Sequence, residues 1–342
     1  MAEGQRVGAV HWIDHYGVPI NDLDRWIAFY QNVLGASEEF GLGGGEMRRQ
    51  GVGGFVRIGR AYAGGFKQRK PIPPSNGLGQ GMPRYGYFIR QADVDDHLRR
   101  LDKFQAPHTE PARCSHEGDE GTVIYFQDPD ENQMEFWAPD RLPDGAMDGA
   151  VELGVGRLAS AVLESRDLKR TTEFYSRYFA VDPISSANLD KDTAAFQLAT
   201  GGRMVFKEVS ALSKRTAAWN LRGAHTALTV REDEFLLAYE RMWNDLPEWR
   251  DDDSDDPADP ATLPARTHLS GKLFGGKLYQ AGGQKTNSAP SAWGGRSDNF
   301  FDWDANYFHF VGGVPDGDTM TNYRAIYMED RVLEEKAAGE RA

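Results

Sequence analysis

The sequence predicts an α+β fold made of four strand–helix–strand–strand–strand (βαβββ) modules, and two duplicated phrases carry that prediction. The first runs from His15 through Asp22-Leu23-Asp24-Arg25 to Phe29-Tyr30, and returns as Ser160, Asp167-Leu168-Lys169-Arg170 and Phe174-Tyr175. In both copies the aspartate stands seven residues after the strand position held by His15 or Ser160. The second phrase, Asp128-Pro129-Asp130-Glu131-Asn132-Gln133-Met134-Glu135-Phe136, is matched by Asp302-Trp303-Asp304-Ala305-Asn306-Tyr307-Phe308-His309-Phe310. Two motifs, each present twice in the same order, mean an internal duplication.

Module one covers residues 8–75. Ile13, His15, Gly17 and Pro19 fall on one face of an extended run by its period of two. Asn21 or Asp22 then caps a helix whose apolar positions Leu23, Trp26, Ile27, Tyr30 and Leu34 recur at helical spacing, and Gly35 stops it. Glycine-broken strands follow at 51–59 and 61–67. Module two, 84–140, reads as a strand at 85–90, a helix marked by Val94, Leu98, Leu101 and Phe104, and strands at 121–126 and 133–137 around the turn Asp128-Pro129-Asp130. The Pro, Asp and Gly of 138–149 mark a domain boundary. Module three, 156–209, holds a strand at 158–163, a helix at 168–178 and strands at 194–198 and 204–209. Module four opens with a strand at 225–230 and a helix at 232–243, and closes with strands near 299–301 and 307–311. Between them lie the self-repelling acidic run 251–257, read as solvated loop, and the Gly/Ser-rich stretch 270–297, whose part 275–295 reads equally as an active-site lid or a plain mobile loop. The resulting plan is an N-terminal domain, 1–145, and a C-terminal domain, 146–325, with a long insertion at about 246–298. A charged helix or tail, 326–342, ends the chain.

Composition narrows the function. At 342 residues, 40% hydrophobic and 11% aromatic, the chain is long enough for two ordinary domains with a sizeable core. A formal net charge of −13 argues against nucleic-acid binding, which needs neutralising Lys and Arg. No apolar run approaches the roughly 20 residues of a membrane helix, and the N-terminus lacks a signal peptide's apolar core. One cysteine, Cys114, rules out an internal disulfide and suits a reducing cytoplasm, which is the expected location. Gly41-Leu42-Gly43-Gly44-Gly45 does not sit between a parallel strand and a helix, so it reads as a turn rather than a phosphate loop.

Four such modules, the Phe-Tyr helix and the Asp-Pro-Asp-x-Asn-x-x-Glu turn together resemble the vicinal oxygen chelate superfamily, the glyoxalase, bleomycin-resistance and extradiol-dioxygenase group. The similarity covers most of 8–315 and is to the two-domain members typified by ring-cleaving dioxygenases. The resemblance implies two cup-shaped mixed-sheet barrels, each closed by a pair of modules. It also implies metal ligands at the start of a module's first strand and the middle of its last. Carried over, those positions are His15 in module one, Glu135 in module two, and His225 and His309 in module four. Gly86 and Ser160 stand at the other first-strand positions. If modules pair in chain order, His15 meets Glu135, and His225 meets His309, in separate sites. If module one pairs with module four, as in the hydroquinone-cleaving members, His15, His225 and His309 converge in one cup. The second arrangement is preferred because a single choice gathers three imidazoles, leaving Glu135 as a structural carboxylate of the other cup.

Three facial ligands leave positions on Fe(II) for two substrate oxygens and for O₂, and imidazole also suits Mn, Zn or Ni. The leading expectation is therefore a metal-dependent dioxygenase for a small phenolic (catechol- or hydroquinone-like) or enediol substrate. Tyr307, two residues before His309, is its hydrogen-bond donor to a substrate oxygen, and His11 is a candidate assisting base. Phe301, Trp303, Phe308 and Phe310 are expected to make the cup aromatic. His97, on a helix among charges, is expected to be solvated. Two alternatives stand beside this one: a metal-free protein that sequesters an aromatic compound, and a glyoxalase-like isomerase or lyase. A homo-oligomer is compatible with either.

Overall fold

The computed structural model describes residues 10–40, 44–68, 71–116, 119–179, 181, 183–185, 189–198, 201–215, 225–230, 245, 297–301, 304 and 306–312. For His11, Gly44, Glu46, His116, Val230 and the strand residues from 297 on, only the backbone is described. The expected helix at 232–243, nearly all of the insertion and the tail lie outside the described residues.

Module one is β1 (Val10–Ile20), α1 (Leu23–Leu34), β2 (Ser37–Glu39), α2 (Gly44–Arg49), β3 (Gly53–Ile58) and β4 (Ala61–Lys67). Asp22 caps α1 by accepting from the Arg25 amide at 2.9 Å. Gly35 ends it in the left-handed region at φ 70°, where a side chain would be strained. Module two is β5 (Arg84–Phe88), α3 (Val94–Lys103), β6 (Ala112–His116), β7 (Asp119–Gln127) and β8 (Gln133–Pro139). Module three is β9 (Leu158–Ser165), α4 (Leu168–Phe179), β10 (Thr193–Gln197) and β11 (Arg203–Glu208). Module four contributes β12 (His225–Val230), β13 (Ser297–Phe301) and β14 (Tyr307–Gly312).

Among the described residues the strands form two seven-stranded mixed sheets that do not follow chain order. The first, β13-β14-β12-β1-β4-β3-β2, joins modules four and one; the second, β10-β11-β9-β5-β8-β7-β6, joins modules three and two. In each, the two first strands meet antiparallel at the centre, β1 on β12 and β5 on β9, and each runs parallel to its own module's last strand. The preferred pairing of module one with module four is the one observed. The sheets thus cross the division between 1–145 and 146–325, which remains a division of the sequence.

The repeated turn explains how each half of the chain still holds together. Asp130 in module two accepts from Asn21 (2.8 Å) and Arg25 (2.9 Å) at the N-terminus of α1, and Asn132 donates to the Pro19 carbonyl at 3.0 Å. In the second copy Arg166 bonds Asp304 at 2.7 Å, and Asn306 donates to the Glu164 carbonyl at 2.8 Å. The duplicated residues therefore make the same clasp twice, module two onto one and module four onto three. Asp128 organises the first turn from inside. It accepts from the Asp130 and Asn132 amides and the Asn132 side chain, and burial pushes its carboxyl up to about 6.

The main core joins the helix-bearing faces of both sheets, with Trp26, Tyr30, Phe136 and Phe174 among its largest members. Tyr16 stacks on Tyr85 at 4.0 Å and its hydroxyl lies 2.8 Å from that of Tyr87, linking the two sheets. Burial holds these phenols well above their ordinary range, so they stay neutral. No helix among the described residues is long and apolar enough to cross a membrane.

His97 is not solvated. It is fully buried against Phe136, with ring centroids 4.4 Å apart, because Val94, His97 and Leu101 share the inward stripe of α3. Burial, then the neighbouring Arg100 charge, depresses its pKa to about 4. A base held neutral in the fold must take up its proton on unfolding, so this contribution to stability is intact above about pH 6.5 and falls as pH drops to about 4. Asp128 acts in the opposite sense, its unfavourable buried charge being relieved as pH falls below about 6. Urea unfolding of the wild type and His97→Gln at pH 7 and pH 4 is expected to show a loss on acidification larger in the wild type by up to about 3 kcal/mol.

Candidate metal centre

The concave face of the first sheet is built by register. On one rung Arg57, Tyr62, His15, Ala227 and His309 stand side by side across β3, β4, β1, β12 and β14. On the next, Phe55, Gly64, Gly17 and His225 do the same. Paired residues share a face, so His15 and His225 emerge on one side of the sheet, and the backbone of His309 stands in register with His15. Gly64 has no room for a side chain, since a Cβ there would lie 2.6 Å from the Phe55 ring and 2.8 Å from that of Phe66.

A bulge sets the approach to His15. Ile13 stands opposite Leu228, but His15 stands opposite Ala227 rather than one residue further along, so β1 carries an extra residue at Asp14. This corrects the expected alternation: Ile13 turns into the main core with Leu228, while Asp14 and His15 both serve the concave side. The consequence is a contact that a regular strand forbids between neighbours. Asp14 Oδ2 lies 2.7 Å from His15 Nδ1, and Thr229 Oγ1 donates to Asp14 Oδ1 at 3.4 Å.

His15 and His225 converge. Their Nε2 atoms are 3.0 Å apart and the rings meet edge to face at 5.1 Å. Both side chains are buried, at 0% and 4% exposure. Tyr85 of the second sheet anchors β12 from behind by donating to the His225 carbonyl at 3.2 Å. Around the pair stand Phe55, Tyr62 and Phe66 with Met47 of α2, an aromatic wall separate from the main core. The Phe66 ring is 5.8 Å from that of His225.

The donor set fits a divalent cation. With Nδ1–H of His15 given to Asp14, the Nε2 lone pair points at the partner imidazole, the second-sphere arrangement common to metal-bound histidines. Two ligands at right angles around one cation, each at about 2.1 Å, stand about 3.0 Å apart, which is the separation found here. The backbone of His309 lies on the same rung as His15 with Ala227 between them. Its side chain, and those of Tyr307, Phe301, Phe308, Phe310 and His11, lie outside the described residues, as does Trp303 altogether. Among the described residues no group of three or more His, Cys, Asp or Glu forms a metal cluster.

Glu135 does not join this group. It sits on β8 of the second sheet, opposite Gly86 and Tyr125. There Arg84 Nε donates to one carboxylate oxygen at 2.7 Å and Ser160 Oγ to the other at 2.6 Å, with both charged side chains buried. A Cβ on Gly86 would fall 2.4 Å from Ser160 Oγ and 2.5 Å from Glu135 Oε1, so the first-strand position of module two has no space for an imidazole. In the second cup the carboxylate is held by its own ion pair.

Sequence reasoning missed Asp14, Phe55, Tyr62 and Phe66. The aromatic three were legible as alternate positions on the hairpin around Gly59. Asp14 was not, because an Asp-His dipeptide in a regular strand places the two side chains on opposite faces.

Comparison with known proteins agrees with this architecture. Residues 12–136, the span of modules one and two, match the family model described as Glyoxalase/Bleomycin resistance protein/Dioxygenase superfamily. No curated protein sequence matches the chain. Among solved structures, a "putative dioxygenase" from Bacillus subtilis aligns over 91% of this chain and 88% of its own, at 14% identity and a TM-score of 0.55. Glyoxalase I from Zea mays aligns over 92% and 96%, at 12% identity and a TM-score of 0.53. Identities this low establish the shared fold and no more. Residues 12–136 thus match the model of that superfamily, and the chain as a whole shares the fold of these solved structures.

Proposed function

We propose that this protein is a metal-dependent dioxygenase acting on a small phenolic or enediol substrate, with His15, His225 and His309 as the metal ligands. The observation that carries the proposal is the convergence of two buried Nε2 atoms, one of them backed by a carboxylate, on the rungs that the backbone of His309 shares. Fe(II) is the favoured ion, with Mn, Zn or Ni compatible with the same ligands; when bound it supplies Lewis acidity and a template for two substrate oxygens and O₂.

The protein's own residues do the rest. Asp14 fixes the His15 tautomer and places a negative charge beside an otherwise neutral ligand set. Phe55, Tyr62 and Phe66 offer flat apolar surface to an aromatic ring and exclude water from the imidazoles. Tyr307, set on the strand that carries His309, is the proposed donor to a substrate oxygen. Glu135 acts as a structural carboxylate, and His11 stays a candidate assisting base. A cytoplasmic location suits the reduced ion.

One observation favours a second reading. A direct hydrogen bond between His15 and His225 would satisfy both rings in a metal-free protein that sequesters an aromatic compound. Oxygen uptake separates the readings. With Fe(II) added anaerobically and catechol or hydroquinone as substrate, the dioxygenase consumes O₂ and His225→Ala does not. Tight binding of an aromatic compound that survives chelator, with no uptake, would support the binder. Turnover without oxygen would point to an isomerase or lyase.

A further inference from the structure

We infer that Arg57 is the anion anchor of this cup, so that the substrate is a phenolic or enediol compound bearing a carboxylate or a similar planar anion. The inference rests on the reading of the first sheet as the substrate cup and adds to it a substrate class and a specificity-determining residue.

Arg57 lies on β3, on the same rung as Tyr62 and His15. Its neighbours Val56 and Ile58 are fully buried in the main core, so alternation directs Arg57 to the opposite, concave face. The residue is half-buried there. Its guanidinium makes one hydrogen bond among the described residues, from Nε to the Gly59 carbonyl at 2.7 Å. That bond fixes the group's orientation from its side and leaves the edge bearing the two Nη atoms for a ligand. It contrasts with Arg84, the cup-facing arginine of the second sheet, which is closed by Glu135 and the Gly79 carbonyl. Glu39 on β2 stands opposite Phe55, the next concave position.

A planar fork of donors matches a carboxylate in two parallel hydrogen bonds, a geometry lysine cannot offer. Position completes the case. Two interstrand steps, from β3 to β4 to β1, set the Cα atoms of Arg57 and His15 about 10 Å apart. A benzene ring with its chelating oxygens at one end and a carboxylate at the other spans that gap. Tyr62, between them on the rung, is the surface such a ring would lie against.

The test compares 4-hydroxybenzoate with its uncharged isostere 4-hydroxybenzamide by calorimetric titration of the full-length protein, and includes Arg57→Met and Arg57→Lys. The wild type is expected to bind the anion about tenfold more tightly than the amide. Arg57→Met should erase that ratio and Arg57→Lys should keep part of it. Equal affinities in the wild type, or a ratio unchanged in Arg57→Met, would overturn the anchor. Neither probe is a catechol, and repeating the titrations on chelator-treated protein keeps a carboxylate–metal contact from supplying the ratio. Metal content and catechol binding of the same preparations test the dioxygenase reading separately.

Discussion

Replacing Asp14 by alanine is expected to lower affinity for the metal by about 10- to 100-fold while leaving the fold intact. The carboxylate touches no substrate in this account. It acts through His15, holding the proton on Nδ1 so that Nε2 presents a lone pair. Without it the imidazole can take the other tautomer, and ring rotation is no longer opposed. Asp14→Asn still offers an acceptor but no charge, so it should fall between the wild type and alanine. Metal titration of the apoprotein, with circular dichroism as a control on folding, measures both. An affinity unchanged in Asp14→Ala would remove the carboxylate from the site.

Arg84→Met should destabilise the protein by about 3–5 kcal/mol without altering its metal content. The arginine is 4% exposed, and its removal leaves the Glu135 carboxylate buried without its cation. The guanidinium also lies over the Tyr125 ring at 4.9 Å and donates to the Gly79 carbonyl, so packing is lost with the charge. Arg84→Met combined with Glu135→Leu removes both charges and should recover most of the loss, since the cost lies in the unpaired ion. Urea unfolding of the wild type, both single variants and the double variant closes the cycle. A loss below about 1 kcal/mol in Arg84→Met would mean that the second cup tolerates a bare carboxylate. A loss of metal in that variant would contradict the separation of the two sheets' roles.

Much of the fold was legible because each module announces itself with local chemistry. The aspartate cap and glycine stop of α1, and the Asp-x-Asp-x-Asn turns, are side-chain-to-backbone devices whose partners lie nearby or at a repeated offset. Strands β4 and β12 run over the residues that alternation and composition suggested. Strands β2 and β6 and helix α2 escaped notice: each is six residues or fewer, too short to show a period. The pairing of modules one and four follows from no local signal. It was inferred from where the histidines would have to meet. The bulge at Asp14 is equally silent, being decided by the register between strands more than two hundred residues apart. His97 was misjudged from its charged neighbours in sequence, although Val94 and Leu101, three before and four after it, place it on the inward stripe.

One metal ion held where modules one and four meet would show in the metal content of the purified protein. Protein purified anaerobically should carry about one equivalent of iron per chain, and His15→Ala and His225→Ala should each abolish it. Iron retained in both variants would place the metal elsewhere. Protein that takes up no divalent metal in any form, even on reconstitution, would contradict the account and leave the buried histidine pair as a hydrogen-bonded feature of an aromatic-binding cup.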